Sequence, residues 1–326
     1  MTSPSNILVT GVGLALPGAG TPADLLRPTG RPGEPVDPAA RIGRRGLRYL
    51  DRASQLALCA ARDALLDSAL ISADDDKGPA VDGASVAVVA SSNLGNLDTV
   101  CEVASAISEG TTDRISPMAL PNASSNVIAS TVAMRFGLRG PNLMFCNGPT
   151  SGLDAVYWGA ALVAAGRCSR AVVVGAETGN QVVRELMDEP ARDLLDGAVA
   201  LVVESREAAR TRGARPIAEL GRYARTAGVP ECIEQVLADG DAPPGIWFSE
   251  QEEDRFTGTP LVADVPRHLM TGAHGLASGA LGVLQCAAAV GWFGSGGIGD
   301  ALLTNGDDGS DGVAGMLVRP VGGERW

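Results

Sequence analysis

Residues 115–155, ISPMALPNASSNVIASTVAMRFGLRGPNLMFCNGPTSGLDA, decide how the rest of this chain reads. They pass in order through a proline-asparagine loop and an alanine-rich segment with apolar residues at helical spacing. A Gly-Pro turn follows, then a short apolar run and a small-residue segment that opens a second helix. Helix, strand and helix packed into about forty residues indicate α/β layering. Short β-branched runs bounded by glycine at 7–10, 85–90, 170–175 and 199–204 predict buried strands, and residues 51–70, 124–136 and 151–165 predict helices. Alternating strands and helices predict a mostly parallel sheet covered on both faces.

Past the charged stretch 206–215, expected to be a surface connection, a second half repeats this outline. Strands are expected at 216–220, 245–248, 261–265, 301–304 and 313–318, with a long helix at 276–292. The division this implies is 1–206 and 207–326, two similar halves related by an internal duplication. Residues 18–41, rich in Pro, Gly and Arg, are expected to form an irregular surface loop.

With 326 residues, 45% of them hydrophobic, the chain can bury a large core. Its net charge of −12 argues against nucleic acid and anionic membrane as partners, and against docking an acidic carrier protein unaided. No apolar run reaches membrane-spanning length and the N-terminus lacks a basic, apolar leader, so a cytoplasmic location is expected. The six cysteines are scattered without a CxxC pair, which predicts buried reduced thiols, Cys146 among them, rather than a metal or disulfide framework. The acidic run 250–254 lacks histidine and reads as a solvated loop. The glycines of 294–299 lack the lysine of a phosphate loop.

The order of motifs in 115–155 resembles the dimer-forming and nucleophile region of β-ketoacyl synthases. RRGLRYLDRASQLALCAARDALLDSAL at 44–70, DGAVALVVES at 196–205 and HLMTGAHGLASGALGVLQ at 268–285 resemble the same family in the same order. The resemblance implies the thiolase-like fold: two βαβ halves in an α-β-α-β-α stack, the second half here shortened. It also shows what this chain lacks. Pro149 stands where the family's nucleophilic cysteine belongs; proline supplies neither a thiol nor the backbone N–H that in the family helps hold the oxyanion. The family's two histidines fall near Ser249 and at Ala273, with His274 one residue late and His268 at the position of the supporting lysine. The family's Gly-Phe gate is replaced by TNGDDGSDG at 304–312.

Among silent relatives, the chain is most similar to the chain-length factors of type II polyketide synthases, which also lack the cysteine. That resemblance implies a non-catalytic subunit that pairs with an active ketosynthase through Asn142, Leu143, Met144, Phe145 and Cys146. It implies no bound cofactor; a phosphopantetheine-linked acyl chain is presented to the partner by an acyl carrier protein. Asn96, Thr99 and Val103 fall at the positions that gate the acyl tunnel, and their small size leaves room for a long or polyene chain. Two alternatives remain open at this point: altered chemistry, as an acyltransferase or decarboxylase using Cys146 or His274, and an acyl-carrier-binding module.

Overall fold

Strand β1 (Ile7–Ala15) is buried along its whole length, well past the stretch its β-branched residues mark out. Gly11 and Gly13 explain the extension: a Cβ on either would collide with the backbone of the helix that crosses it, at Ala64 and Ala60. That helix is α2 (Arg52–Asp67), which follows the short α1 (Pro38–Ile42) and is capped by the Asp51 carboxylate accepting the Ser54 N–H. The computed structural model describes residues 6–27, 33–74, 78–118, 120–187, 194–237, 242–250 and 260–322.

The first half continues with β2 (Val86–Ser91), α3 (Leu97–Ser108), α4 (Val127–Phe136), β3 (Asn142–Phe145), α5 (Ser151–Ala164), β4 (Arg170–Glu177), α6 (Gln181–Met187), β5 (Gly197–Ser205) and α7 (Arg206–Thr211). The second contains β6 (Ala218–Thr226), α8 (Val229–Val236), β7 (Ile246–Ser249), β8 (Arg267–Leu269), α9 (Thr271–His274), α10 (Leu281–Gly294), β9 (Ala301–Asn305) and β10 (Val313–Arg319). The ten described strands join one sheet in the order β3-β2-β4-β5-β1-β6-β10-β9-β7-β8. Read outward from the central β1–β6 contact, the two flanks have the same strand order. β1 matches β6, β2 matches β7, and so on to β5 and β10, with the same parallel or antiparallel sense in each corresponding pair.

Three layers of apolar side chains follow from strands buried on both faces. Val86, Val88, Val172 and Val174 face α2 and α4, whereas their neighbours Ala87, Val89, Ala171 and Val173 face α5 and α10. Trp247, Leu302 and Leu317 meet α8 on the far side. The middle layer is α5 against α10, whose backbones approach so closely at Gly152 and Gly282 that neither position has room for a Cβ. Sheet and helices thus form the layered α/β arrangement expected from the sequence.

Four expectations need correction. The sheet is mixed, with five antiparallel and four parallel pairings among the described strands. β9 and β10, for instance, are joined by residues 306–312, too few for the crossover that a parallel pair requires. Residues 261–265 do not form a strand: a 3-10 turn occupies Pro260–Val262, and the strand comes later, after Pro266. The stretch 206–215 is more than a surface connection, because Arg212 reaches inward to the buried Glu204. Residues 18–41 are partly anchored: Leu25, in a 3-10 turn at Pro22–Leu26, is fully buried in the core cluster that also holds Leu281 and Leu284 of α10, and 28–32 lie outside the described residues.

Candidate functional site

The turn between β3 and α5 is the pivot of the site. Gly148, at φ 82°, swings the chain into a 3-10 turn with Pro149 at its head, and α5 starts at Ser151. Proline fits there because a first-turn N–H has no helical partner to lose. The turn is held by side chains around it. Asn93, just after β2, donates from Nδ2 to the Gly148 carbonyl at 2.9 Å and to Ser278 Oγ at 2.9 Å. Its Oδ1 accepts the Ser151 hydroxyl at 3.0 Å. On the other side Asp154 is buried and accepts from Thr150 Oγ1 at 2.8 Å, from the Asn147 amide and from the Tyr223 hydroxyl. Tyr157 stacks on Tyr223 with 4.3 Å between ring centres. Burial and then the Asp154 charge push the Tyr223 phenol well above its ordinary range, so it stays a donor.

Around Pro149, then, lie amides, hydroxyls and one carboxylate, each engaged with its neighbours. Cys146 corrects an expectation. It is exposed rather than buried, because β3 is an edge strand and Cys146 lies just beyond its end. Desolvation, followed by the charge of Glu177, nonetheless pushes its thiol upward, which disfavours the thiolate. Cys59, Cys168, Cys232 and Cys286 are buried as expected, and burial alone raises Cys286 to about 12.

The positions matched to the two family histidines lie on neighbouring elements. Ser249 is buried at the end of β7, paired in register with Leu269 of β8, and Ala273 is in α9 directly after it. His274 Nε2 lies 3.3 Å from the Leu25 carbonyl. His268 packs edge-on against Phe248. Desolvation lowers the pKa of both imidazoles, which favours their neutral form. Of the acidic run 250–254, only Glu250 falls within the described residues.

Asn96 directly precedes α3, makes no side-chain cap bond to it, and donates its amide to the carbonyls of Asn122 at 3.0 Å and Ser124 at 3.2 Å. Thr99 and Val103 are half-buried, and α3 has no buried residue at all. Asn142 is exposed on β3, while Leu143, Met144 and Phe145 are half-buried. Beside that edge, Met134 of α4 and Trp158 of α5 are exposed, the latter stacked on Phe145.

Asn93, Asp154, Glu177 and Ser278 escaped the sequence reading. A polar run placed directly after a buried strand, Ser92-Asn93-Leu94-Gly95, was the available signal for the first. The pairing of Asn93 with Ser278 spans 185 positions and left no local trace.

Residues 33–186 match the β-ketoacyl synthase N-terminal domain. The chain is 31% identical over 209 residues to a granaticin polyketide β-ketoacyl synthase 1 of Streptomyces violaceoruber, covering 55% of this chain and 48% of that one. It is 29% identical over 202 residues to a 3-oxoacyl-[acyl-carrier-protein] synthase 2 of Vibrio harveyi, covering 55% and 47%. The chain thus spans about half the length of these curated relatives. In structure it superposes on a type II polyketide ketosynthase in complex with its acyl-carrier protein (TM-score 0.81, 16% identity, 97% of this chain and all of that one). It also superposes on the ishigamide ketosynthase/chain length factor (TM-score 0.73, 20% identity, 97% and 100%). The fold is the thiolase-like fold of the ketosynthases.

Proposed function

We propose that this chain is a non-catalytic chain-length factor, which pairs with an active ketosynthase and shapes the tunnel holding the growing acyl chain of a type II polyketide, polyenes included. The observation that carries the reading is Pro149 at the head of the turn between β3 and α5. The place from which a ketosynthase-type nucleophile would act holds a residue with no nucleophile and no N–H. The neighbouring positions agree, since Ser249 and Ala273 supply no imidazole.

Pairing is assigned to Asn142, Leu143, Met144, Phe145 and Cys146. An edge strand offers unpaired backbone groups to a partner, and the exposed Met134 and Trp158 beside it extend the contact with apolar surface. Asn96, Thr99 and Val103 of α3 are the tunnel positions. The carrier protein presents its phosphopantetheine-linked chain to the partner ketosynthase, and the acidic surface of this chain leaves that docking to the partner.

The exposure of Cys146 supports a second reading, altered chemistry on that thiol. One experiment separates the two: co-expression with the ketosynthase encoded nearest this gene, light scattering on the purified material, and intact mass after incubation with acyl carrier protein. A one-to-one complex acylated on the partner alone is expected. A solitary chain that acquires the acyl group itself points to Cys146 and ends the chain-length-factor reading. A complex that forms normally but makes the same product length after Val103→Trp leaves only a carrier-binding role.

A further inference from the structure

Glu177 closes β4, and its carboxylate is the meeting point of segments far apart in sequence. Oε1 accepts the N–H of Asn93 at 2.7 Å and that of Gly279 at 2.9 Å. Oε2 accepts the N–H of Leu94 at 3.1 Å and the Ser92 hydroxyl at 3.2 Å. Asn93 and Leu94 form the turn from β2 into α3, while Gly279 lies in the turn that opens α10. The approach is as close as glycine permits, since a Cβ at position 279 would press on Glu177 Oε1 at 2.9 Å.

Every group that compensates this carboxylate is neutral; among the described residues no Lys, Arg or His pairs with it. The titratable group facing it is the Cys146 thiol at the end of β3. Asp98, in the first turn of α3, acts on Asp51 instead. The Gly279 turn brings only amides and the Ser278 hydroxyl. Helix α3 has no buried residue, and its start is held besides by the Asn96 amide on the Asn122 and Ser124 carbonyls.

We infer that Glu177 is a positioning residue that pins α3 to the turn at the head of α10, and that its ionisation loosens the pin. The inference deepens the proposed function, because Asn96, Thr99 and Val103 stand on α3; only its bearing on the acyl tunnel rests on that reading. Burial pushes the Glu177 acid up to about 7, desolvation outweighing the hydrogen bonds it accepts. When the turn opens, water returns the group to its ordinary value of 4.5. A closed site that holds the proton more tightly than the open one is favoured by protonation. Closure is therefore firmest below the ordinary carboxylate range, weakens as pH rises towards 7, and levels off above it. Between about pH 6 and about pH 8 these two values shift the opening equilibrium roughly tenfold towards open.

Amide hydrogen exchange on the full chain at those two pH values, corrected for intrinsic exchange rates and read against α2, tests this. Protection at Asn93, Leu94, Gly279 and through α3 is expected to fall about tenfold between them while α2 holds steady, and Glu177→Gln is expected to abolish the difference. Flat protection, or a fall shared equally by α2, overturns the inference with the unaltered protein alone, whether or not the variant folds. A folded Glu177→Gln chain that keeps the tenfold fall overturns it as well. Unchanged product length in Val103→Trp, with the exchange result as expected, removes the tunnel role and leaves the pin standing.

Discussion

Strands β4 and β5 run antiparallel, and each end of the pair carries a buried glutamate treated in the opposite way. At one end Glu204 is wholly enclosed. It is met by the Arg170 guanidinium at 2.8 Å, by Arg212, and by the Thr10 hydroxyl at 2.6 Å. Arg212 also donates to the Ser68 carbonyl at 2.6 Å, tying α7 to the end of α2. At the other end Glu177 is also buried and receives only neutral donors. Two cations compensate the first, whereas the second has only neutral donors to offset its burial. The fixed end is where β1, β4, β5 and α7 lock together; the adjustable end is where the Pro149 turn, α3 and the α10 turn converge.

The most severe way to break this contrast is Glu204→Gln, which removes the carboxylate shared by the buried Arg170 and the half-buried Arg212. Stability is expected to drop by roughly 3–5 kcal/mol, read as a lowered denaturant midpoint with unchanged slope. A loss smaller than that of Glu177→Ala would invert the comparison. Next is the pH response of the whole fold. Raised from 4.5 to about 7 on folding, Glu177 binds its proton more tightly in the native state. Stability should therefore fall by roughly 3 kcal/mol as pH climbs from about 4.5 through about 7. Glu177→Gln should flatten that slope in urea titrations. Asn93→Ala, at the adjustable end, is expected to cost about 1–2 kcal/mol and to speed amide exchange at Gly148 and Ser278. Smallest of all is Pro149→Cys: no chain elongation is expected from the variant alone in a carrier-loaded malonyl assay, because Ser249 and Ala273 still supply no imidazole. Condensation in that assay would show that one residue separates silence from activity.

The strands and helices were legible because their information is local. Runs of valine and alanine flanked by glycine mark β2, β4 and β5, and the spacing from Gly140-Pro141 to Ser151-Gly152 places Pro149 without any coordinates. Strand direction was not legible, since nothing in residues 301–305 says that they pair antiparallel with 314–318. The same holds for the polar site. Asn93 and Ser278, or Glu177 and Gly279, become partners only when the two halves close on each other, and the sequence presents each as an ordinary loop residue. The exposure of Cys146 is hidden for a related reason: an apolar run implies burial, but an edge strand has only one neighbour to supply it.

The sheet also ends differently at its two margins. β8 is three residues long, follows Pro266, and carries Arg267, whose guanidinium lies 4.0 Å over the Trp247 ring. β3 is also short, at four residues, and follows Pro141, but it carries no charged side chain and has Met134 and Trp158 exposed beside it. A body with one receptive margin and one blunted margin has a valence of one. Under the proposed pairing, that geometry would favour closed pairs over open-ended stacks, so the same edges would set stoichiometry as well as affinity.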